Sequence, residues 1–381
     1  MTYRRAAIPA LAGGLLLTAL LWWAGASGQA LHLQGTTSVL GGGATAELQH
    51  WLLPWAYDPP AAYGPGAEVS GGIGDTATAD SSRYLSLHTT GMQIRFAAVF
   101  AFFVPGALLL IRRLPPVHGR LPATLLGLWA WGLVAGTLAV TVSAPWLIAS
   151  NGRGGYRFLP NLAAAISSGR QVLVVTALVT AAVTVLVARV AVKGADPQPR
   201  RTVPARAARL SATAGTAVVA LSLVVLSYET VAAAMQTVSP DGGFLAEPGD
   251  LLRQWLLLGG WAGPAGGSLG DWLLYRTADV LLLAVVWWAL RVLPGLLTRA
   301  TLPAMAVGAV CATVLGLLAS QLLRMATNEA GLRWGVIRLF DGLGGGVPAA
   351  LTCGVAAGFA ATITLRVSRR GAPVPDEGPT D

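Results

Sequence analysis

Apolar residues run along this chain in eight long stretches, at residues 6–23, 93–111, 121–142, 172–188, 210–228, 272–290, 302–323 and 347–365. Each comes near the roughly 20 apolar residues that a helix needs to cross a bilayer. The pattern predicts an all-α membrane protein with eight transmembrane helices. Two shorter stretches keep helical spacing but carry a polar face. Leu48, Trp51, Leu52 and Trp55 share one side of a helix while Glu47, Gln49 and His50 lie elsewhere, and Leu252, Trp255 and Leu256 follow Asp250, a capping residue type. Both read as amphipathic helices lying on the membrane surface, with Trp51, Trp55, Trp255 and Trp261 as interfacial anchors.

The two short stretches match each other. Leu48, Trp51, Leu52 and Leu53 recur at one constant offset as Leu252, Trp255, Leu256 and Leu257, and that offset carries Arg5 onto Arg209 and the first apolar run onto the fifth. Further along, at a shorter offset, Arg112, Leu114 and Pro115 match Arg291, Leu293 and Pro294, while Asn151 and Gly169 match Asn328 and Gly346. The shift places an insertion between Trp55 and Arg95. Against chance alignment of Leu- and Ala-rich helices, the preserved order of the loop matches favours duplication. Four helices per copy is an even number, so two parallel four-helix repeats are expected, related by an axis along the membrane normal. The first repeat spans residues 1–190 with a long outer loop at 25–92, and the second spans 210–367. Residues 191–209 form a basic linker and 368–381 a polar tail. The opening run also has the features of a secretory signal peptide, but its counterpart in mid-chain favours a retained helix.

Composition agrees with this pattern: 54% of the residues are hydrophobic and 11% charged, with mean hydropathy +0.61, whereas soluble domains average about a quarter charged. The net charge of +9 points away from nucleic acid, because the cations divide by membrane side instead of forming one exposed patch. Arg4 and Arg5, Arg112, Arg113 and Arg120, the linker, Arg291 and Arg299, and Arg366, Arg369 and Arg370 alternate onto one side. That side is expected to be cytoplasmic, putting both termini inside a plasma membrane and every long loop outside. The Tyr57 to Arg83 stretch, rich in Gly, Pro, Ala and Ser, reads as a mobile loop.

Ionisable groups within the apolar runs are costly, so they are the first functional candidates. Asp279 lies seven residues into the sixth run, about 10 Å deep at 1.5 Å per residue. Arg276, three residues earlier, is placed to pair with it, and Glu229 ends the fifth run on the same side. These three form a candidate polar cluster, to be weighed against a structural ion pair that only fixes helix register. Arg333, Arg338 and Asp341 precede Gly342, Gly344, Gly345 and Gly346. A glycine-rich turn at a helix start can hold phosphate, though a flexible turn is the simpler reading. His32, His50 and His88 share the first loop with Glu47, Asp58, Asp75 and Asp80 in no recognised ligand spacing. Cys311 and Cys353 sit within apolar runs. No metal, no cofactor and no catalytic residue is expected.

Leu31-His32-Leu33-Gln34-Gly35 after a tryptophan-ended first helix, then a Gly/Ala-rich stretch and a helix ending in Arg112-Arg113, resembles the actinobacterial multi-pass proteins of the streptophobe family. The general plan is also similar to actinobacterial PerM-type division proteins. The likeness covers about the first 110 residues and brings no catalytic motif with it. It implies a high-GC Gram-positive source and an integral membrane protein. The expected function is a non-enzymatic scaffold whose outer loops engage a membrane or envelope protein, with the lipid bilayer as its other partner. The competing reading is a transporter or permease with its site between the repeats. An enzyme acting on lipid-linked substrates stands third.

Overall fold

The computed structural model describes residues 3–32, 41–57, 76–116, 120–150, 157–192, 204–237, 247–258, 269–327 and 332–370. Four long helices make up the first half of the bundle: α1 (Tyr3–Ser27), α3 (Thr76–Arg113), α4 (Leu121–Ser150) and α6 (Arg170–Val192). Short α2 (Gly42–Leu52) and α5 (Phe158–Ser167) join them at one end. The second half holds α7 (Ala205–Ala220), α10 (Leu269–Leu296), α11 (Leu302–Ala326) and α12 (Leu332–Arg370), with short α8 (Glu229–Thr237) and α9 (Gly249–Leu256). A π-helical turn over Leu221–Leu226 continues α7. Among the described residues eight helices are long and apolar enough to cross a membrane, so the protein is an all-α, multi-pass integral membrane protein.

Both halves close in the same cyclic order. In the first, α1 packs on α3 and α6, and α4 packs on the same two helices. In the second, α7 packs on α10 and α12, and α11 again packs on both. The halves meet where α4 and α6 face α11 and α12. Small residues permit this contact in a medium where lipid supplies no hydrophobic drive. A Cβ on Gly354 would come within 2.6 Å of Val310 Cα, and one on Gly358 within 2.5 Å of Ala306 Cα, so this four-residue stripe lets α12 lie backbone to backbone on α11. Buried indoles need acceptors in such an interior. Trp129 Nε1 donates to Val174 O at 3.0 Å and Trp131 Nε1 to Phe102 O at 3.1 Å, which ties α4 to both of its ring neighbours.

The seam between halves is mostly apolar and is pinned at its ends. In its interior the Cys311 thiol donates to Gly127 O at 3.3 Å. At the end bearing the termini, Thr298 N–H donates to Arg113 O at 3.0 Å. At the other end Arg157 pairs with Glu247 at 3.0 Å.

Several expectations change. Residues from Thr76 onward, expected within a mobile loop, are helical, so α3 starts well before its apolar run. Ser and Thr there extend the helix beyond bilayer length. The glycine-rich turn at Gly342–Gly346 is instead part of continuous α12. Asp250 lies in the first turn of α9, whose cap position is held by Pro248. Most of the basic linker, at 193–203, and the tail at 371–381 lie outside the described residues, as do Asp58, Asp75 and Trp261.

Candidate functional site

Asp279 sits on α10 with 10% of its side chain exposed, at a depth where a lone carboxylate would be costly. Two guanidiniums hold it. Arg276 Nη1 donates to Oδ2 at 3.0 Å and Arg324 Nη2 to Oδ1 at 3.1 Å. Arg276 comes from the preceding turn of the same helix, whereas Arg324 comes from the last turn of α11. Aromatic faces fix both arginines: Arg276 Cζ lies 5.6 Å from the Trp272 ring centroid, and Arg324 Cζ lies 5.0 Å from that of Tyr275. With both carboxylate oxygens engaged by arginine, Asp279 is poorly placed to take a substrate proton, which argues against a general base here.

The arrangement borders a cavity of about 560 Å³ at the end of the bundle away from the termini. Asp279, Arg324, Ser320 and Gln321 form one wall, α9 contributes Asp250, Arg253 and Gln254, and Ser167 and Arg170 come from the first half. The deepest lining residues along the spans are Leu223, Leu282 and Leu317, each almost wholly buried. Leu223 belongs to the π-helical turn that ends the fifth span. Wide turns of this kind recur at functional positions in helices.

Local chemistry explains how the walls stand. The Ser222 hydroxyl donates to Leu256 O and that of Thr352 to Trp255 O, so the last carbonyls of α9 are satisfied by the bundle. With the Gln254 amide assigned so that its nitrogen donates to Ala163 O at 3.3 Å, its oxygen accepts from Arg170 Nη2 at 2.6 Å and from the Ser167 hydroxyl at 3.1 Å. This joins α9 to α5 across the seam. The glycines of α12 give Arg170 room: a Cβ on Gly344 would come within 2.4 Å of its side chain.

The expected cluster is therefore rearranged. Arg276 and Asp279 come together, but Glu229 is exposed at the start of α8 and forms no ion pair among the described residues. Arg324, Arg170, Arg253 and Gln321 were not singled out from the sequence. Their signal was available: Arg170 and Arg324 sit at the helix ends opposite the basic connectors, where cations are disfavoured. Of the expected interfacial tryptophans, Trp51 and Trp255 are half-buried. Trp55 is a correction. It is 1% exposed and donates from Nε1 to Gly169 O at 2.9 Å, so its ring is packed inside the protein instead of facing lipid. Beside it Arg95, 3% exposed, donates from Nε to the Ser143 hydroxyl at 2.9 Å and from Nη1 to Pro54 O, with Cζ 5.7 Å from the Trp55 ring centroid.

Among the described residues no three His, Cys, Asp or Glu side chains gather as a metal site. No protein-family model matches the chain, and no curated protein or solved structure matches it. Function is therefore argued from geometry.

Proposed function

We propose that the protein is a non-enzymatic binding scaffold of the plasma membrane, which holds a ligand or partner at the face opposite its termini and passes nothing through. One observation carries this reading: the cavity takes polar walls from both halves, and its lining reaches no deeper along α10 and α11 than Leu282 and Leu317. The basic connectors at the opposite end support a cytoplasmic location for both termini and an outward-facing cavity. The same cyclic packing order in both halves, with Arg95 and Arg276 at matching places, supports tandem copies of one four-helix unit. The second reading is a transporter whose outward state has a closed inner gate, and it is favoured by the cavity's position at the seam.

Cysteine labelling separates the two, since Cys311 and Cys353 are buried. A membrane-impermeant maleimide added to intact cells should label Gln321→Cys. Val286→Cys, one turn beyond the leucine floor, should resist the reagent from both faces. Labelling of Val286→Cys from the terminus-bearing face would replace the scaffold by the transporter. Labelling of Gln321→Cys only in inverted vesicles would reverse the orientation.

A further inference from the structure

Two arginines bring charge to the cavity wall. Arg324 spends Nη2 on Asp279, yet its side chain remains 26% exposed where it lines the cavity. Arg253 lines the same space, is exposed, and forms no ion pair among the described residues. Two guanidiniums from different helices, α9 and α11, thus approach one volume from different directions. A carboxylate presents its two oxygens in one plane, whereas a tetrahedral phosphate presents oxygens in several directions and so suits guanidiniums that approach from different sides. Leucines supply an apolar part of the lining: Leu257 and Leu258 after α9, and Leu223, Leu282 and Leu317 from the spans. At about 560 Å³ the space exceeds what a bare inorganic ion fills and falls within the roughly 300–1,000 Å³ of small-molecule sites.

We infer that the cavity binds an organic phosphate, with its phosphate group on Arg253 and Arg324 and its remaining body against the leucines. This rests on the reading of the cavity as a binding site. The phosphate comes either from an anionic phospholipid of the surrounding leaflet or from a soluble phosphate ester. Asp250 and Asp279 limit the positive charge of the lining, which suits a phosphodiester with one negative charge.

The test uses the full chain in detergent micelles, titrated with dihexanoyl phosphatidylglycerol, glycerol 3-phosphate and inorganic phosphate, and reads thermal stability and Kd. An organic phosphate should bind saturably and roughly tenfold or more tighter than inorganic phosphate, since each buried methylene adds to affinity. Preference for the short-chain lipid assigns the site to the bilayer, and preference for the ester assigns it to a soluble ligand. Arg253→Gln should weaken binding by about tenfold, the loss of one charge-assisted hydrogen bond. Asp250→Asn should strengthen it by roughly twofold to fivefold, the change expected from one exposed charge. Both residues are exposed and form no ion pair among the described residues, so both variants should fold as the parent does. Arg324→Gln, with folding checked by thermal melting, should lose affinity as well. Equal response to all three compounds, no response to any, or an unchanged Kd in Arg253→Gln overturns the inference. The cysteine-labelling pattern is read without any ligand, so failure here leaves the scaffold reading to be judged separately.

Discussion

Arg95 on α3 and Arg276 on α10, the second long helix of each half, each lie against a tryptophan ring, at 5.7 and 5.6 Å. Their surroundings differ. Arg95 has neutral acceptors, the Ser143 hydroxyl and the Pro54 carbonyl, and Trp55 fills the space beside it. Arg276 has a carboxylate, shared with Arg324, and both that carboxylate and Arg324 line an open cavity. Where the indole fills the space beside the arginine the position is packed shut, and around Asp279 the corresponding space is a cavity. An acid becomes necessary in the open version because neutral acceptors alone leave two neighbouring cations to repel each other.

The contrast can be broken at its plug. Trp55→Ala should lower stability by about 3–5 kcal/mol, as large-to-small changes of buried aromatics do. Thermal unfolding in detergent would register it, and an unchanged melting temperature would mean that the indole fills nothing. The next effect is at the acid. Asp279→Asn leaves both guanidiniums short of a charged acceptor and should cost about 1–3 kcal/mol in the same assay. A loss as small as that of an exposed pair would show that solvent in the cavity serves instead. The smallest effect is expected where no such interior exists. Arg157 and Glu247, 58% and 46% exposed, join the halves at the surface, and Arg157→Ala should change stability by less than about 0.5 kcal/mol.

What the sequence revealed was local. The eight spans are legible because length and hydropathy of a single run decide them, and Arg276 with Asp279 is legible because three residues on a helix bring side chains together. Arg324 was hidden, since it reaches Asp279 from another helix 45 residues away. Trp55 was misread for a similar reason. Its spacing from Trp51 marks a surface helix, but the carbonyl that receives its indole belongs to Gly169, 114 residues on. Glu229 was grouped with Arg276 and Asp279 because it ends the fifth run on their side, yet beyond the π-helical turn at Leu221–Leu226 a new helix starts at Glu229 and leaves it exposed. The polar start of α3 was lost because hydropathy identifies what lipid covers and is silent on helix beyond it.

The bare flank of α12 has a mechanical consequence. Arg170, from the first half, rests where Gly344 and Gly345 offer no side chain to push it aside. Phe340 and Leu343 precede this notch and Pro348 follows it, so α12 cannot slide along its axis without driving bulk under the arginine. The two halves are keyed in register like a pin in a slot, and any rocking between them must begin with that pin being withdrawn.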